Sequence, residues 1–519
     1  MDKPNILLIF TDQQRADTIQ ALDNPIMRTP NLDRLCSDGI AFTNAYTPSP
    51  VCVPARGSMH YGQYPWNSRC YDNSFSMPKD SESFMQALTR AGFRVHGIGK
   101  RHFQPDPQAL RGFQTIERQE EIVKHIEDDD YMKFLHDSGY EHILDPHGIR
   151  GGMYYVPQPA QMPAQCHPTQ WIGDRVVRFI REQSKKKDPW FLFASFVHPH
   201  PPFAPPSPWH KLYHPQLLPL PNVPQDTEQL HTYINRLQNR WKFRDQGIDN
   251  NLLRCIKAYY YAAISFIDYQ LGRILEVLEK MNQLDRTLVI FTSDHGEHLG
   301  DYNCFGKRSM HDTCARVPLI LRMPGIFEGG TVCPIPVSLV DIAPTILSFA
   351  KEEIHTHRLD GENLADVVSG ESKRQCVFSQ YQFKENAIYM VANERWKYFY
   401  SAPDDKEFLF DRLTDPLETR NKVGASLLSS LLQDITSELK ENLMNRLKKD
   451  GAEGAIEKDD WKRYPAIELP NDPDTGLNFL AQPWANPFIK GYSETEEPPT
   501  YKSYQLEKLF KIQRKKFSP

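Results

Sequence analysis

Residues 5–12 read Asn-Ile-Leu-Leu-Ile-Phe-Thr-Asp, a continuous apolar run that ends in a carboxylate. A run of this kind is typical of a strand that is buried on both faces, as in the middle of a parallel sheet. Further along the chain, helix patterns alternate with similar apolar strands. Helices are expected at 30–38, 82–91, 171–183 and 251–281, and strands at 94–98, 190–196 and 287–292. This alternation predicts an α/β fold in which helices sandwich a large, mostly parallel sheet.

The pattern changes after about residue 370. Short strand patterns at 376–381, 387–391, 396–400 and 408–410 precede a helix pattern at 427–448. We therefore predict a main domain over residues 1–370 and a smaller C-terminal α+β subdomain over 371–519. The subdomain is expected to contain a small antiparallel sheet, a helix and a tail that wraps over the main domain.

Composition excludes several classes of function. The 519-residue chain has 40% hydrophobic and 24% charged residues and a formal net charge of −5, so it is expected to bind neither nucleic acid nor membranes. Its nine cysteines show no paired spacing, which favours free thiols in a reducing compartment. The apolar run at 6–10 is too short for a signal peptide. We expect a soluble, cytoplasmic protein, or a periplasmic or exported one if a leader has been removed.

Polar residues follow four of the predicted strands. These residues are Asp12 and Gln13, Lys100 with Arg101 and His102, His200, and Asp294 with His295, and Lys307 comes shortly after the last pair. Each one alone fits a helix cap, a turn or a solvated surface charge. Because ligands of parallel sheets bind beyond the carboxyl ends of the strands, their combination predicts an active site at that edge.

A second signal lies in residues 51–66, where Cys52-Val-Pro54-Ala-Arg56 stands. The spacing from cysteine to arginine is too short for the phosphate cradle of cysteine phosphatases. A zinc-ribbon interpretation has no support, because the chain contains no Cys-x-x-Cys pair.

Together these segments resemble the type I, formylglycine-dependent sulfatases of the alkaline-phosphatase-like superfamily. The resemblance covers roughly residues 4–420. It includes Thr29-Pro-Asn-Leu-Asp-Arg-Leu35, the helix segment Ala258-Tyr-Tyr-Tyr-Ala262 with Asp268, and Phe410-Asp-Arg-Leu-Thr-Asp-Pro-Leu-Glu418.

The resemblance implies a role for each motif residue. Cys52 would be oxidised to formylglycine by a maturation enzyme, and Arg56 would hold its hydrate. The residues implied as metal ligands are Asp12, Gln13, Cys52, Asp294 and His295, and those implied to contact the sulfate and move protons are Lys100, His102, His200 and Lys307. One divalent cation is expected, with Ca²⁺ as first choice. Gln13 and His295 replace an aspartate and an asparagine of many relatives, so Mn²⁺ is the alternative.

The implied reaction is the hydrolysis of a sulfate ester, most often in a sulfated saccharide or small molecule, by attack of the metal-activated formylglycine hydrate. Phosphonate monoester hydrolases of the same branch resemble the Asp-Gln and Asp-His pairs, so a phosphonate monoester or phosphodiester hydrolase is the alternative. A catalytically silent binding protein is a third interpretation. The oligomeric state is left open.

Some positions depart from the family pattern. His60-Tyr61-Gly62-Gln63 replaces Leu-Thr-Gly-Arg, and His311-Asp312 replaces Tyr-Glu. His311 is expected either to reach the substrate or to have a structural role. Five further residues could line the pocket or simply pack in the fold: Asn73, Arg101, Phe103, His167 and Trp171.

Overall fold

The computed structural model describes residues 3–78, 80–123, 125–150, 154–243, 249–424 and 429–471. The strands are β1 (Asn5–Asp12), β2 (Ile40–Phe42), β3 (Ala45–Tyr46), β4 (Arg94–Gly99), β5 (Thr115–Arg118), β6 (Trp190–Pro199), β7 (Thr287–Ser293), β8 (Leu319–Arg322), β9 (Thr331–Cys333), β10 (Val337–Ser338), β11 (Val377–Tyr381), β12 (Ile388–Ala392), β13 (Trp396–Ser401), β14 (Lys406–Asp411), β15 (Ile456–Glu457) and β16 (Asp460–Trp461). The helices are α1 (Pro30–Asp38), α2 (Cys52–Tyr61), α3 (Pro65–Ser68), α4 (Phe84–Arg90), α5 (Asp130–Asp137), α6 (Pro168–Gln183), α7 (Tyr233–Phe243), α8 (Asn250–Lys280), α9 (Asp312–Ala315), α10 (Ile342–Ala350), α11 (Leu364–Ser369) and α12 (Ser429–Lys449).

The main sheet has eight strands in the order β5-β4-β6-β1-β7-β8-β2-β9. All eight residues of β1 are buried, and β1 pairs in parallel with β6 on one side and β7 on the other. Strand β8 runs antiparallel to β7 and β2. The predicted fold class, a large mostly parallel sheet between helices, is confirmed.

Two apolar cores cover the two faces of this sheet. Alternate residues of β1 point to opposite sides, so that Leu8 and Phe10 enter one core while Leu7 and Ile9 enter the other. The first core contains side chains of α2, α4 and α10, and the second contains side chains of α1, α6 and α8. This double coverage explains why β1 reads as an unbroken apolar run rather than as an alternating one.

The N-terminus of α1 is held by the long helix α8. Pro30 occupies the first turn, and the Asp268 carboxylate of α8 accepts hydrogen bonds from the backbone N–H groups of Asn31 and Leu32, the latter at 2.7 Å. A carboxylate at a helix N-terminus satisfies free N–H donors and interacts well with the helix dipole. Two of the segments that carry the family resemblance are thus parts of one contact.

Helix α2 was not predicted. Its sequence contains Pro54 and Gly57, which normally argue against a helix, yet Pro54 lies in the first turn, where a missing N–H costs nothing. The helix predicted at 82–91 begins at Phe84, because Ser83 and Gln86 form a capping box there.

The C-terminal part contains a separate antiparallel sheet in the order β11-β12-β13-β14, and α12 packs against it. The predicted domain boundary near residue 370 stays a prediction, and the predicted wrapping tail beyond residue 471 lies outside the described residues. All nine cysteines are free thiols. Within the described ranges, no helix combines the length and apolar character that crossing a bilayer requires.

A buried charge cluster joins this second sheet to α9 and β3 of the N-terminal part. Lys397 of β13 is fully buried, and its ammonium group donates to Asp312 Oδ1 at 2.8 Å and pairs with Glu418. The Asp312 carboxylate also accepts a hydrogen bond from the Tyr46 hydroxyl of β3 at 2.9 Å. Lys397 therefore pairs with two buried carboxylates, one from each side of the contact, and Arg316 and Arg412 also lie within 4 Å of Asp312.

We expect Lys397→Met to destabilise the fold by about 3–5 kcal/mol, because it removes the cation paired with Glu418 and leaves Asp312 with only the longer contacts to Arg316 and Arg412, at 3.5 and 3.7 Å. The measurement is the shift of the urea unfolding midpoint. The matched control is Lys133→Met, which removes a half-exposed lysine paired with Asp130 and should change stability by less than about 0.5 kcal/mol. Equal midpoints for the two variants would contradict the assigned role of Lys397.

Candidate active site

The carboxyl ends of the central strands bring the predicted polar residues together. Asp12 ends β1 and Asp294 follows β7, and these strands are direct neighbours with Thr11 paired to Ser293. Lys100 follows β4, whose last residue, Gly99, lies so close to β6 that a Cβ there would be 2.0 Å from the carbonyl oxygen of Ser195. Glycine is therefore required at this position to let Lys100 enter the site.

Cys52 is the first residue of α2 and is 1% exposed. Its Sγ lies 2.9 Å from Lys307 Nζ, 3.3 Å from His295 Nε2 and 3.8 Å from Asp12 Oδ1. The start of the helix is held by Asn73, whose Oδ1 accepts a hydrogen bond from Val53 N–H at 3.0 Å. Asn73 thus positions α2 and, through it, the thiol.

Arg56 lies one helical turn after Cys52 and shares its face of α2. Its fully buried guanidinium donates to Asp12 Oδ2 at 3.0 Å and to Asp294 Oδ2 at 3.2 Å. It also donates to Ser195 Oγ at 3.0 Å. One oxygen of each aspartate is thus occupied by Arg56, and the Oδ1 atoms are left on the side of Cys52 and His295.

These residues form a set of possible metal ligands. One ligand atom each from Asp12, Cys52, Asp294 and His295 all lie within 4.8 Å of one another. His295 Nδ1 faces the Gly296 carbonyl oxygen at 3.0 Å, a contact in which Nδ1 carries the proton. The unprotonated Nε2 then faces the cluster, as metal ligation by histidine requires.

Gln13 has a left-handed backbone, with φ 70°, which turns its side chain into the site. Its amide nitrogen donates to the buried carboxylate of Glu297, and its Oε1 accepts from Lys307 Nζ at 2.9 Å. Two carboxylates, an amide oxygen and an imidazole fit a divalent cation, and the donor set suits both Ca²⁺ and Mn²⁺.

Burial and neighbouring charges shift the titration of this cluster. Burial raises the pKa of Asp12, but Lys100 and the other nearby cations outweigh it and hold that pKa well below its ordinary value. Burial, reinforced by Asp12, raises the pKa of Asp294 to about 6. Burial also raises the pKa of the Cys52 thiol, yet Lys307, Lys100 and His295 together lower it well below the ordinary value. The site therefore favours an anion at position 52.

Glu121 is a buried carboxylate that sequence reasoning missed. It pairs with Lys100 Nζ at 2.6 Å, with Arg150 Nη2 at 2.7 Å and with His200 Nδ1 at 3.5 Å. It lies in Glu117–Glu121, a run of mostly charged and polar residues that resembles a solvated surface, and gave no signal in the sequence. Glu121 therefore links two of the predicted site residues to a third that was not predicted.

Arg150 is the third member of that link. Its side chain is 2% exposed, its guanidinium lies 5.5 Å from the centroid of the Tyr154 ring, and its Nη1 has no hydrogen-bond partner among the described residues. A buried guanidinium nitrogen without a partner is costly, so Nη1 is available for a ligand group.

His200 lies against the same carboxylate. Burial lowers its pKa to about 3, while Glu121 opposes the shift. Its Nδ1 also contacts the Pro201 carbonyl oxygen at 2.7 Å. His200 is therefore neutral at rest.

The structure does not link His102 to this cluster. His102 has φ 54°, its backbone N–H donates to Glu120, and its Nδ1 has no partner in the part of the chain that the structure describes. Its predicted role as a proton carrier stays a prediction.

Several other candidates have structural roles instead. His167 caps α6 and contacts the Ala204 carbonyl, while Trp171 and Phe103 lie in the two cores. Arg101 donates to backbone carbonyls of Pro107 and Ala109. His311 is enclosed by the rings of Tyr302, Phe399 and Phe410, and its Nδ1 forms a hydrogen bond with the Ser309 hydroxyl. Of the two roles expected for His311, these contacts support the structural one.

The unusual segment after Arg56 also packs in the interior. His60 is surrounded by Phe84, Phe103, Phe113 and Phe193. The Tyr61 hydroxyl accepts a hydrogen bond from Arg111 at 2.7 Å, and Gln63 is 9% exposed. These departures from the family pattern are packing changes.

Two family profiles match the chain. The profile described as Sulfatase matches residues 4–352, and the profile described as N-sulphoglucosamine sulphohydrolase, C-terminal matches residues 300–449. The first alone spans well over half of the chain and contains every predicted site residue.

Individual relatives agree with the profiles. An arylsulfatase of Clostridium perfringens is 30% identical over 82% of this chain and 91% of its own length. A choline-sulfatase of Rhizobium meliloti is 30% identical over 81% of this chain and 82% of its own length. The solved structure of a phosphonate monoester hydrolase of Agrobacterium radiobacter superposes with a TM-score of 0.74 at 25% identity, covering 86% of this chain and 96% of the other.

Members of this family generally use a divalent metal and a formylglycine. The cluster around Cys52 has donor atoms for a metal, and Cys52 is the thiol from which a formylglycine would be made. The sheet order, the strand-end cluster and the match over residues 4–352 lead to one assignment. The chain belongs to the sulfatase family, with the alkaline-phosphatase-like fold, and is a sulfuric ester hydrolase.

Proposed function

We propose that this sulfatase hydrolyses a sulfate ester of a carbohydrate, with Cys52 matured to formylglycine and with one divalent cation, Ca²⁺ before Mn²⁺. The observation that carries the proposal is the contact of Cys52 Sγ with Lys307, His295 and Asp12, all within 3.8 Å. When present, the formylglycine hydrate supplies a hydroxyl nucleophile and the cation supplies Lewis-acid activation. The remaining chemistry belongs to the side chains.

The cationic side chains hold the transferred sulfate. Lys307 Nζ contacts both the position-52 side chain and the amide oxygen of Gln13, each at 2.9 Å. Lys100 is fixed between Asp12 and Glu121, at 2.8 and 2.6 Å. Fixed cations aimed at oxygens that gain charge in the transition state are a major source of catalysis. Arg56 has its guanidinium occupied by two aspartates, so its role is to orient them.

We assign the transfer of a proton to the leaving alcohol to Lys307 or His200. His200 is neutral at rest and gains a proton only beside a bound anion that raises its pKa. Lys307 lies nearer to the reacting atom. His102 is proposed to accept the proton from the hydrate in the second half of the reaction.

Charge favours a saccharide over choline as the leaving group. Recognition of a quaternary ammonium needs open aromatic faces. Arg150 lies over the Tyr154 ring, and its Nη1, which has no hydrogen-bond partner among the described residues, is a donor suited to sugar hydroxyl or acidic groups. The N-sulphoglucosamine sulphohydrolase profile over residues 300–449 supports the same substrate class.

A phosphonate monoester or phosphodiester hydrolase is the second candidate. It is favoured by the ligand set with Gln13 and His295, and by the similarity to a phosphonate monoester hydrolase structure. We further propose that the maturation enzyme reaches Cys52 before the chain folds, because Cys52 is only 1% exposed in the folded protein. We also propose that the protein acts in the cytoplasm.

We expect Cys52→Ala to lower turnover by several orders of magnitude, because it removes the nucleophile that splits the reaction into two steps. Mass spectrometry of the active protein should show that the side chain of residue 52 is an aldehyde, which has oxygen in place of the cysteine sulfur and two hydrogens fewer. The control is Cys255→Ser, a half-buried thiol on α8, which should keep full activity. An active Cys52→Ala protein would sink the proposal.

We expect Glu121→Gln to lower kcat by about 10- to 100-fold without raising KM. The variant keeps the shape of the side chain but removes one of the two carboxylates that hold Lys100 and the carboxylate paired with Arg150, so Lys100 is held by Asp12 alone and is less precisely placed. Steady-state kinetics measures the split. Glu117→Gln is the control, because its carboxylate pairs with Arg178 at the surface. An unchanged kcat in Glu121→Gln would show that the carboxylate only fills space.

Substrate class is tested by one panel on the matured enzyme: an O-sulfated and an N-sulfated glucosamine, choline sulfate, an aryl sulfate and a phenyl phosphonate ester. We expect the highest kcat/KM on a sulfated sugar and a lower value on choline sulfate. A larger kcat/KM for the phosphonate ester than for every sulfate would replace the leading proposal with the second candidate.

A further inference from the structure

The thiol form of the site has a donor set that differs from the one the matured enzyme would use. Cys52 supplies sulfur, His295 supplies imidazole nitrogen, and Asp12 and Asp294 supply one oxygen each. Sulfur and nitrogen donors favour Zn²⁺ and its neighbours in the transition series, whereas Ca²⁺ takes oxygen ligands almost alone.

Four of the six distances between these donor atoms are close to those around a tetrahedral ion, and all four atoms lie within 4.8 Å of one another. Cys52 Sγ lies 3.3 Å from His295 Nε2 and 3.8 Å from Asp12 Oδ1. His295 Nε2 lies 3.4 Å from Asp294 Oδ1 and 4.0 Å from Asp12 Oδ1. The bond lengths of zinc to sulfur, nitrogen and oxygen give tetrahedral edges of about 3.4–3.6 Å. Small side-chain movements would bring the four donor atoms to the distances of a tetrahedral zinc site.

The surrounding contacts already aim the donors. The Nδ1 contact with the Gly296 carbonyl fixes the His295 tautomer, and Gly296 packs so closely that a Cβ would lie 2.0 Å from the Thr313 carbonyl oxygen. Arg56 holds the outer oxygen of each aspartate, so that Asp12 Oδ1 faces Cys52. The backbone N–H groups of Gln13 and His295 fix Asp294 Oδ1, at 3.0 and 2.9 Å, beside His295 Nε2. Outer contacts of this type orient ligands and tune the affinity of a site.

We propose that the folded chain whose Cys52 has not been oxidised is a zinc-binding protein, with Cys52, His295, Asp12 and Asp294 as ligands. On binding, the thiol proton passes to solvent as the sulfur–zinc bond forms, and nothing is oxidised or reduced. Oxidation of Cys52 to formylglycine replaces this sulfur with oxygen and so shifts the site from Zn²⁺ to Ca²⁺ or Mn²⁺. Lys307, at 2.9 Å from the sulfur, would donate to the bound thiolate.

One consequence concerns chains that escape maturation. A zinc–thiolate complex occupies the position of the nucleophile and the position of the catalytic cation together. The unmatured protein is then folded, metal-loaded and inactive, and a hard cation at the same concentration does not displace zinc from it.

The proposal is tested with the full chain produced without the maturation enzyme, after mass spectrometry shows an intact Cys52. Titration with Co²⁺ should give thiolate-to-cobalt charge-transfer absorption in the near ultraviolet at one equivalent. Chelator competition should give a Zn²⁺ affinity more than roughly 100-fold above those of Ca²⁺ and Mn²⁺. Neither readout depends on turnover, so they can fail while the proposed hydrolase activity stands.

Three variants serve as controls. Cys52→Ser should lose the charge-transfer band and the preference for Zn²⁺, while Cys36→Ser, which changes a buried thiol on α1, should keep both. His295→Asn should weaken Zn²⁺ binding by about tenfold or more but leave Ca²⁺ binding by the matured protein in place. Thermal unfolding of each variant verifies the fold. A cobalt complex without the band, or equal Zn²⁺ affinity in Cys52→Ser, would overturn the proposal.

Discussion

The active site depends on one buried cation, the guanidinium of Arg56. It pairs with Asp12 from β1 and Asp294 from the end of β7, and all three side chains are fully buried. Two carboxylates this close would repel each other, and breaking such a buried pair costs about 3–5 kcal/mol. Because Arg56 lies one turn after Cys52 on α2, the same interaction that pairs the strand-end carboxylates also fixes the position of Cys52, the proposed nucleophile.

The remaining charges are arranged outward from this pair. Lys100 touches Asp12 and then Glu121, and Glu121 in turn touches Arg150 and His200. Each carboxylate in this series of ion pairs lies between two cationic side chains and reduces the repulsion between them. The outermost cation, Arg150, has one nitrogen, Nη1, without a hydrogen-bond partner among the described residues. The series of ion pairs therefore ends in a buried hydrogen-bond donor.

The sequence predicts the parts of the site that lie on strand ends, because apolar strands are easily recognised and parallel strands end at one edge. Asp12, Lys100, His200 and Asp294 were found in this way. Glu121 and Arg150 come from connecting segments whose composition resembles a solvated surface, and only the tertiary fold buries them. Helix α2 was missed for a related reason: Pro54 and Gly57 oppose a helix in general, but Pro54 lies in the first turn, and burial of every residue of the helix outweighs the cost of Gly57. Glu297 lies two residues after His295 in the sequence, but its contact with Gln13 forms only because the segments that follow β1 and β7 meet in the fold.

The choice of metal turns on the two residues that depart from the common family pattern. Gln13 removes a negative charge that would help to hold a hard cation, and His295 adds a nitrogen donor. The Nδ1 proton of His295 is used in the hydrogen bond to the Gly296 carbonyl oxygen. This hydrogen bond leaves Nε2 without a proton, which is the form of the ring that a metal ligand needs. With the proposed oxygen nucleophile at position 52, we expect the site to bind Ca²⁺ and Mn²⁺ with similar preference. With a sulfur there, two of the four closest donors are soft or borderline, which is the basis of the proposed preference for zinc. On both proposals, the side chain at position 52 decides the reaction and the ion together.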